Sequence, residues 1–246
     1  RRVAAAGDGV FQVGFNRRFA PAYVRAKELV ANGEIVPASL AVKMNRGELR
    51  QPAWVANAEI TGGFLYESTI HLLDLIRWLA GEVRTVYARA RASVYPPQLD
   101  DFAVTFETSA PPVPAAIAGQ RDCGIAGGGR RAVIGTLVSS AHAGWLFPFE
   151  RIELFGEHAT VVTEEMDAIT ASPGLELASV TTRYAQLPTV ERWGYAGETR
   201  CFLGRMQGRQ VEAPDAEDGY RAVELAEAIY RSAASRSEVG LPLVLE

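Results

Sequence analysis

The order of local signals predicts an α+β fold: a mainly antiparallel open sheet with helices on one face. Three observations carry this. Strand and helix signals alternate twice at the start of the chain. A long series of strand-like segments then follows with no helix between them. An amphipathic helix closes the chain. Grouped strands favour antiparallel pairing, and a sheet of this kind buries one face beneath helices.

The elements follow in order. Phe11–Phe15 (FQVGF) is apolar enough for a short buried strand. Pro21 suits the first turn of a helix, where its missing N–H costs nothing, and Asn32-Gly33 marks the stop. Ser39–Met44 alternates and reads as a strand. Gly62-Gly63 breaks the chain before a strong helix, Leu65–Leu79, with Gly81 as its C-terminal cap. Val83–Val94 and Phe102–Phe106 read as strands separated by Tyr95-Pro96-Pro97. Ser109–Arg131 is rich in Pro, Ala and Gly and reads as a long loop with one short strand inside. Its GIAGGG run does not match GxGxxG, and neither a strand before it nor a helix after it supports phosphate binding. Val133–Ser140, Arg151–Phe155, Ala159–Thr163 and Ser179–Tyr184 favour strands, with a hairpin turn at Gly156-Glu157. Asp218-Gly219 precedes a helix from Tyr220 to Ser235, whose apolar stripe is Ala222, Leu225, Ala226, Ile229 and Ala233.

Composition narrows the functions. The 246 residues are 48% apolar and 22% charged, a globular balance with ample material for a core. A net charge of −4 without a basic patch argues against nucleic-acid binding. No apolar run approaches the ~18 residues of a membrane span. The two cysteines, Cys123 and Cys201, lack a metal or disulfide spacing, so no metal site and a cytoplasmic setting are expected. The first residue is not Met, and the chain reads as a trimmed or excised piece.

The chemistry concentrates on the helix after Gly62-Gly63. At ~100° per residue, Glu67, His71 and Asp74 fall within about 60° of arc, as one polar stripe. Leu65, Leu72, Ile76 and Leu79 lie opposite, and Ile70 and Leu75 flank the stripe. Apolar flanks predict a cleft or interface rather than a solvated face. A histidine titrates near neutrality, and a carboxylate one turn away orients it and favours its charged form. Three readings stay open on spacing alone: a structural ion pair at i,i+4 and i,i+3, proton transfer, or a metal site lacking its second ligand set.

In this order the motifs resemble the Gfo/Idh/MocA oxidoreductase family. The matching pieces are VGFNRRFAP (Val13–Pro21), Trp54 followed by Thr61-Gly62-Gly63, ESTIHLLDLIRWLAGE (Glu67–Glu82), and Glu217-Asp218-Gly219-Tyr220 with Leu241-Pro242-Leu243. The resemblance implies the C-terminal, substrate-side domain of an NAD(P)-dependent oxidoreductase acting on a sugar, inositol or related polyol. It implies His71 as general acid/base and Glu67 in a position usually held by Asp, one methylene longer. Arg17, Asp74, Trp54 and Tyr195 are then expected at the substrate, and Asn16 and Arg18 at the cofactor. Residues 1–15 would be a remnant of the dinucleotide-binding domain and 16–246 the substrate and oligomerisation domain, the Rossmann half being absent. The family's Glu-Lys-Pro tripeptide and GxGxxG turn do not occur. NAD or NADP would therefore belong to the full-length parent and not bind this piece tightly. A homo-dimer or tetramer through the sheet face is expected. Two alternatives remain: a non-catalytic, sheet-based dimerisation or binding module, and an NAD-dependent glycosidase-type relative.

Overall fold

Alternating apolar residues build nine strands into one sheet, ordered β8-β7-β6-β5-β1-β4-β3-β2-β9 among the described residues. This is a computed structural model, and it describes residues 7, 9–47, 52–109, 132–144 and 148–244, with only the backbone of residue 53. The strands are β1 (Pro37–Asn45), β2 (Val83–Arg91), β3 (Asp101–Thr108), β4 (Ile134–Ser140), β5 (Glu150–Gly156), β6 (Thr160–Glu164), β7 (Ala168–Ser172), β8 (Val180–Arg183) and β9 (Val239–Gly240). β1 and β4 run parallel, with Ser39 beside Ile134, and the other pairings are antiparallel. The mainly antiparallel open sheet expected from the sequence is present.

The helices are α1 (Pro21–Ala31), α2 (Ala58–Thr61), α3 (Ile70–Ala80), α4 (Thr189–Arg192), α5 (Tyr195–Met206) and α6 (Ala216–Ser235), with a 3-10 turn at Asn16–Phe19. α1, α3 and α6 bury their apolar stripes against the inward residues of the central strands, such as Leu40, Val42, Val86, Phe102, Val104, Leu137, Ile152 and Leu154. Ser232 on α6 accepts a 2.9 Å bond from the Ala88 N–H of β2, which fixes that helix on the sheet. On the other face Tyr87, Ile134 and Val138 are exposed. Period-2 alternation is thus converted into one covered and one open face.

Several expectations need correction. Phe11–Phe15 forms no strand. Phe11 is exposed, and of this stretch the Val13 N–H donates to Pro214 O at 2.9 Å, with no neighbouring strand to complete a ladder. The last helix begins at Ala216, four residues early, because Asp215 rather than Asp218 caps it. Asp215 accepts from Glu217 and Asp218 N–H groups, and Asp218 reaches back to the Asp215 N–H. α5 was not expected: it holds two glycines and buries only Cys201 and Gly204, so it carries no legible apolar stripe. β7, β9 and the short helices α2 and α4 were also unforeseen. The loop strand expected within Ser109–Arg131, with Cys123, Arg130 and Arg131, lies outside the described residues.

Candidate functional site

Gly62-Gly63 sets the entry to the key helix. Gly63 has φ 124°, and a Cβ there would lie 2.7 Å from the Tyr230 hydroxyl oxygen. Tyr230 Oη in turn accepts from the Leu65 N–H at 3.2 Å, which ties this turn to α6. The first helical residues, Leu65–Thr69, form a π-helical turn, and α3 continues from Ile70. Such turns are rare and are found mostly at functional sites. The opposite face (Leu65, Leu72, Ile76 and Leu79) and the flanking Leu75 are buried; on the stripe itself Asp74 is buried and Glu67 and His71 are part-buried.

Along the stripe the polar groups do not pair as expected. Glu67 accepts a very short hydrogen bond from Ser68 Oγ, and its carboxylate lies 3.6 Å from the Arg46 guanidinium. Asp74 takes Arg18 on both oxygens, at 2.8 and 2.6 Å. Neither carboxylate is bonded to His71. The imidazole meets the edge of the Phe15 ring at 5.9 Å, and its Nδ1 is buried without a hydrogen-bond partner among the described residues. Burial, then the charges of Arg17 and Arg46, lower the His71 pKa to about 3. The expected bias toward the charged form is therefore reversed. Arg18 takes Asp74 by a charge-assisted fork, Glu67 faces Arg46, and the charges that act on the imidazole are those of Arg17 and Arg46.

The Asn16–Phe19 turn supplies the next shell. Arg17 is buried, and its Nε and Nη2 both reach Glu150, at 2.9 and 2.8 Å. Tyr23 donates its hydroxyl to the same carboxylate at 2.7 Å. Arg18 also holds Asp218, at 2.7 Å, beside Asp74. Burial pushes Asp74 up to about 6 against the pull of Arg18 and Arg77, which leaves it charged at neutral pH. Both Asp74 oxygens accept from Arg18, and its side chain is 1% exposed. Asn16 Nδ2 donates to the Trp193 carbonyl at 2.8 Å. Asn16 and Arg18 thus both bond within the chain, Asn16 to Trp193 and Arg18 to Asp74 and Asp218.

Of the two aromatic candidates, Tyr195 stacks on Trp193 next to Arg17. Trp54 stands 52% exposed on a separate 3-10 turn, Ala53–Ala56. Arg46, Ser68, Glu150 and Trp193 were missed. Arg46 directly follows β1, where a strand aims a side chain, but its sequence neighbourhood carries no sign of Glu67. A surface groove of about 480 Å³ lies on the open face between Tyr87, Thr105, Ile134 and Phe155, and His71 does not line it. No group of three or more metal-ligating side chains converges among the described residues. No described helix is long and apolar enough to cross a membrane.

An open-sheet α+β domain with a part-buried histidine, its Nδ1 unpartnered among the described residues, on a helix of the covered face is the class that this fold and site define. Residues 23–162 match the GFO/IDH/MocA C-terminal domain, and the chain belongs to that family. It is 25% identical over 248 residues to an inositol 2-dehydrogenase of Rhizobium meliloti (strain 1021), covering 93% of this chain and 64% of that protein. The chain thus spans just under two thirds of that relative's length. The fold resembles a levoglucosan dehydrogenase in complex with NADH, with TM-score 0.78, 19% identity, and coverage of 99% of this chain and 69% of the other. It also resembles a scyllo-inositol dehydrogenase from Lactobacillus casei with bound NAD(H) and scyllo-inositol, with TM-score 0.68, 22% identity, and coverage of 97% and 66%. The expected absence of a Rossmann half finds no support in these matches, which run across nearly all of this chain.

Proposed function

We propose that this chain is the substrate-side domain of an NAD(P)-dependent oxidoreductase acting on a sugar, an inositol or a related polyol, with His71 moving the hydroxyl proton. The observation that carries this reading is the buried Nδ1 of His71, without a hydrogen-bond partner among the described residues, in a chain of this family. Its relatives named as inositol dehydrogenases support the substrate class. Oxidation of a secondary alcohol removes a proton and a hydride. The residues here handle the proton. His71 accepts it as a neutral base, and the guanidiniums of Arg17 and Arg46 favour the alkoxide that forms. Glu67 is the acceptor for a second substrate hydroxyl. We assign Asp74 to anchoring α3 through Arg18.

The sequence has no GxGxxG turn, and Asn16 and Arg18 bond within the chain. We therefore assign NAD or NADP to a nucleotide-binding part outside residues 16–246 and derive no hydride geometry. Residues 16–246 are proposed as the substrate and oligomerisation domain, and self-association through the open face is supported by its exposed Tyr87, Ile134 and Val138.

The test is steady-state kinetics of the full-length protein with NAD+ or NADP+ and a panel of inositols and sugars. His71→Asn is expected to lower kcat by about 100- to 10,000-fold, the usual worth of general acid–base catalysis, with dinucleotide affinity unchanged. Unaltered turnover would remove His71 from the reaction.

A further inference from the structure

The five residues of the π-helical turn, Leu65–Thr69, are each tied to another part of the fold. The Leu65 N–H donates to Tyr230 Oη at 3.2 Å and Tyr66 Oη donates to Glu227 at 3.1 Å, both on α6. The Arg46 guanidinium, just after β1, lies 3.6 Å from Glu67 and donates to Ser68 Oγ at 3.4 Å. Thr69 and Ser139 of β4 share a hydrogen bond of 2.7 Å between their hydroxyls. This last tie differs from the others. Thr69 and Ser139 are both 0% exposed, and among the described residues each hydroxyl has only the other as partner. Ser139 sits between Met44 of β1 and Phe102 of β3, each 1% exposed. Two hydroxyls thus meet in an otherwise apolar layer between helix and sheet.

A buried hydroxyl pair adds little stability. Its bond replaces bonds to water, and two apolar groups of the same shape would pack there at almost no cost. What the pair supplies is register. A hydrogen bond accepts one alignment of helix on strand, whereas apolar packing tolerates a slip. Register matters at this turn. A π-turn holds more residues than an α-turn, is rare, and persists only where its surroundings fix it. Relaxation to α-helical winding would slip the segment by one residue, about 100° around the axis. His71 follows Thr69 by two positions on the same helix, so the slip would move its imidazole. We propose that the Thr69–Ser139 bond is a positioning device for His71: it locks the π-turn onto β4 and holds the imidazole where it takes the substrate proton. The inference rests on the oxidoreductase reading above and adds two residues that act through His71 rather than on the substrate.

The test compares variants of the full-length protein with NAD+ or NADP+ and myo-inositol, or the member of the polyol panel that is oxidised fastest. Thr69→Val combined with Ser139→Ala removes both hydroxyls and strands neither. Its kcat is expected to fall about 10- to 100-fold with KM within about threefold, as for a base displaced by ~1 Å. Its thermal midpoint is expected to stay within about 5 °C of the parent, because both partners leave together. Thr69→Ser keeps the hydroxyl and is expected to keep kcat within about threefold. The imidazole resonance that disappears in His71→Asn should shift in the double variant and stay in place in Thr69→Ser. An unmoved resonance overturns the positioning role. So does full kcat in the double variant while His71→Asn loses turnover, and in that case the oxidoreductase reading stands. A thermal midpoint lowered further than stated assigns the kcat loss to stability and also overturns it. If His71→Asn turns over normally, or no polyol is oxidised, both fall.

Discussion

His71 shows how residue-scale chemistry can reverse between spacing and structure. On the helix alone, two carboxylates one turn away predict a charged imidazole. In the fold, Glu67 faces Arg46 and Asp74 is clamped by Arg18, so His71 meets the fields of Arg17 and Arg46. The consequence for pH runs in one direction. The unfolded histidine binds a proton below about 6.5, whereas the folded one does so only near 3. Between those values the unfolded state holds more protons, so stability falls as pH drops, by up to about 1.4 kcal/mol per pH unit. Urea midpoints measured across this range should show that slope, and His71→Asn should flatten it. An equal slope in the variant would place the acid sensitivity elsewhere. Glu150 gives a second prediction. It is wholly buried and accepts from both Arg17 and Tyr23. Glu150→Ala should cost about 3–5 kcal/mol in denaturant unfolding, because it strands a buried guanidinium. A loss below about 1 kcal/mol would mean that Arg17 finds water.

At the scale of elements, glycines and caps decide where the chain turns. Gly194 has φ 85°, and a Cβ there would sit 2.1 Å from Asn16 O and 2.7 Å from Ala20 N. This close approach brings the Asn16–Phe19 turn against the start of α5 and seats Trp193 over Arg17. Gly194→Ala should therefore destabilise by at least about 2 kcal/mol and disturb the Trp193 environment in near-ultraviolet circular dichroism. An unchanged spectrum would show that the two segments are seated by other contacts. α1, β1, α3 and α6 were legible because each pairs a periodic apolar pattern with Pro, Gly or Asp at its ends. The π-turn at Leu65–Thr69 was not. It depends on how Gly63 and Tyr230 meet, and no local pattern records that contact.

On the scale of the whole molecule, one face of the sheet is covered and the other is open. The open face carries Tyr87, Ile134 and Val138 among polar neighbours, and the groove there is shallow and lacks a histidine or cysteine. A face of this kind suits self-association better than chemistry. Sedimentation velocity of the chain should show a dimer or tetramer, and Ile134→Lys with Val138→Lys should shift it toward monomer without loss of secondary structure. A monomeric parent chain would overturn the proposal.

The sequence by itself determined the fold class, the covered face of the sheet, the helix that carries His71 and the family's ordered motifs. These depend on periodicity and on turn residues, which act between neighbours along the chain. Only the tertiary structure decided the partners of each charge: Glu67 with Arg46, Asp74 with Arg18, Arg17 with Glu150. Those pairs join residues 21, 56 and 133 positions apart. Side chains so distant in sequence meet only when strands and helices pack, and burial then sets the charge state of the histidine between them.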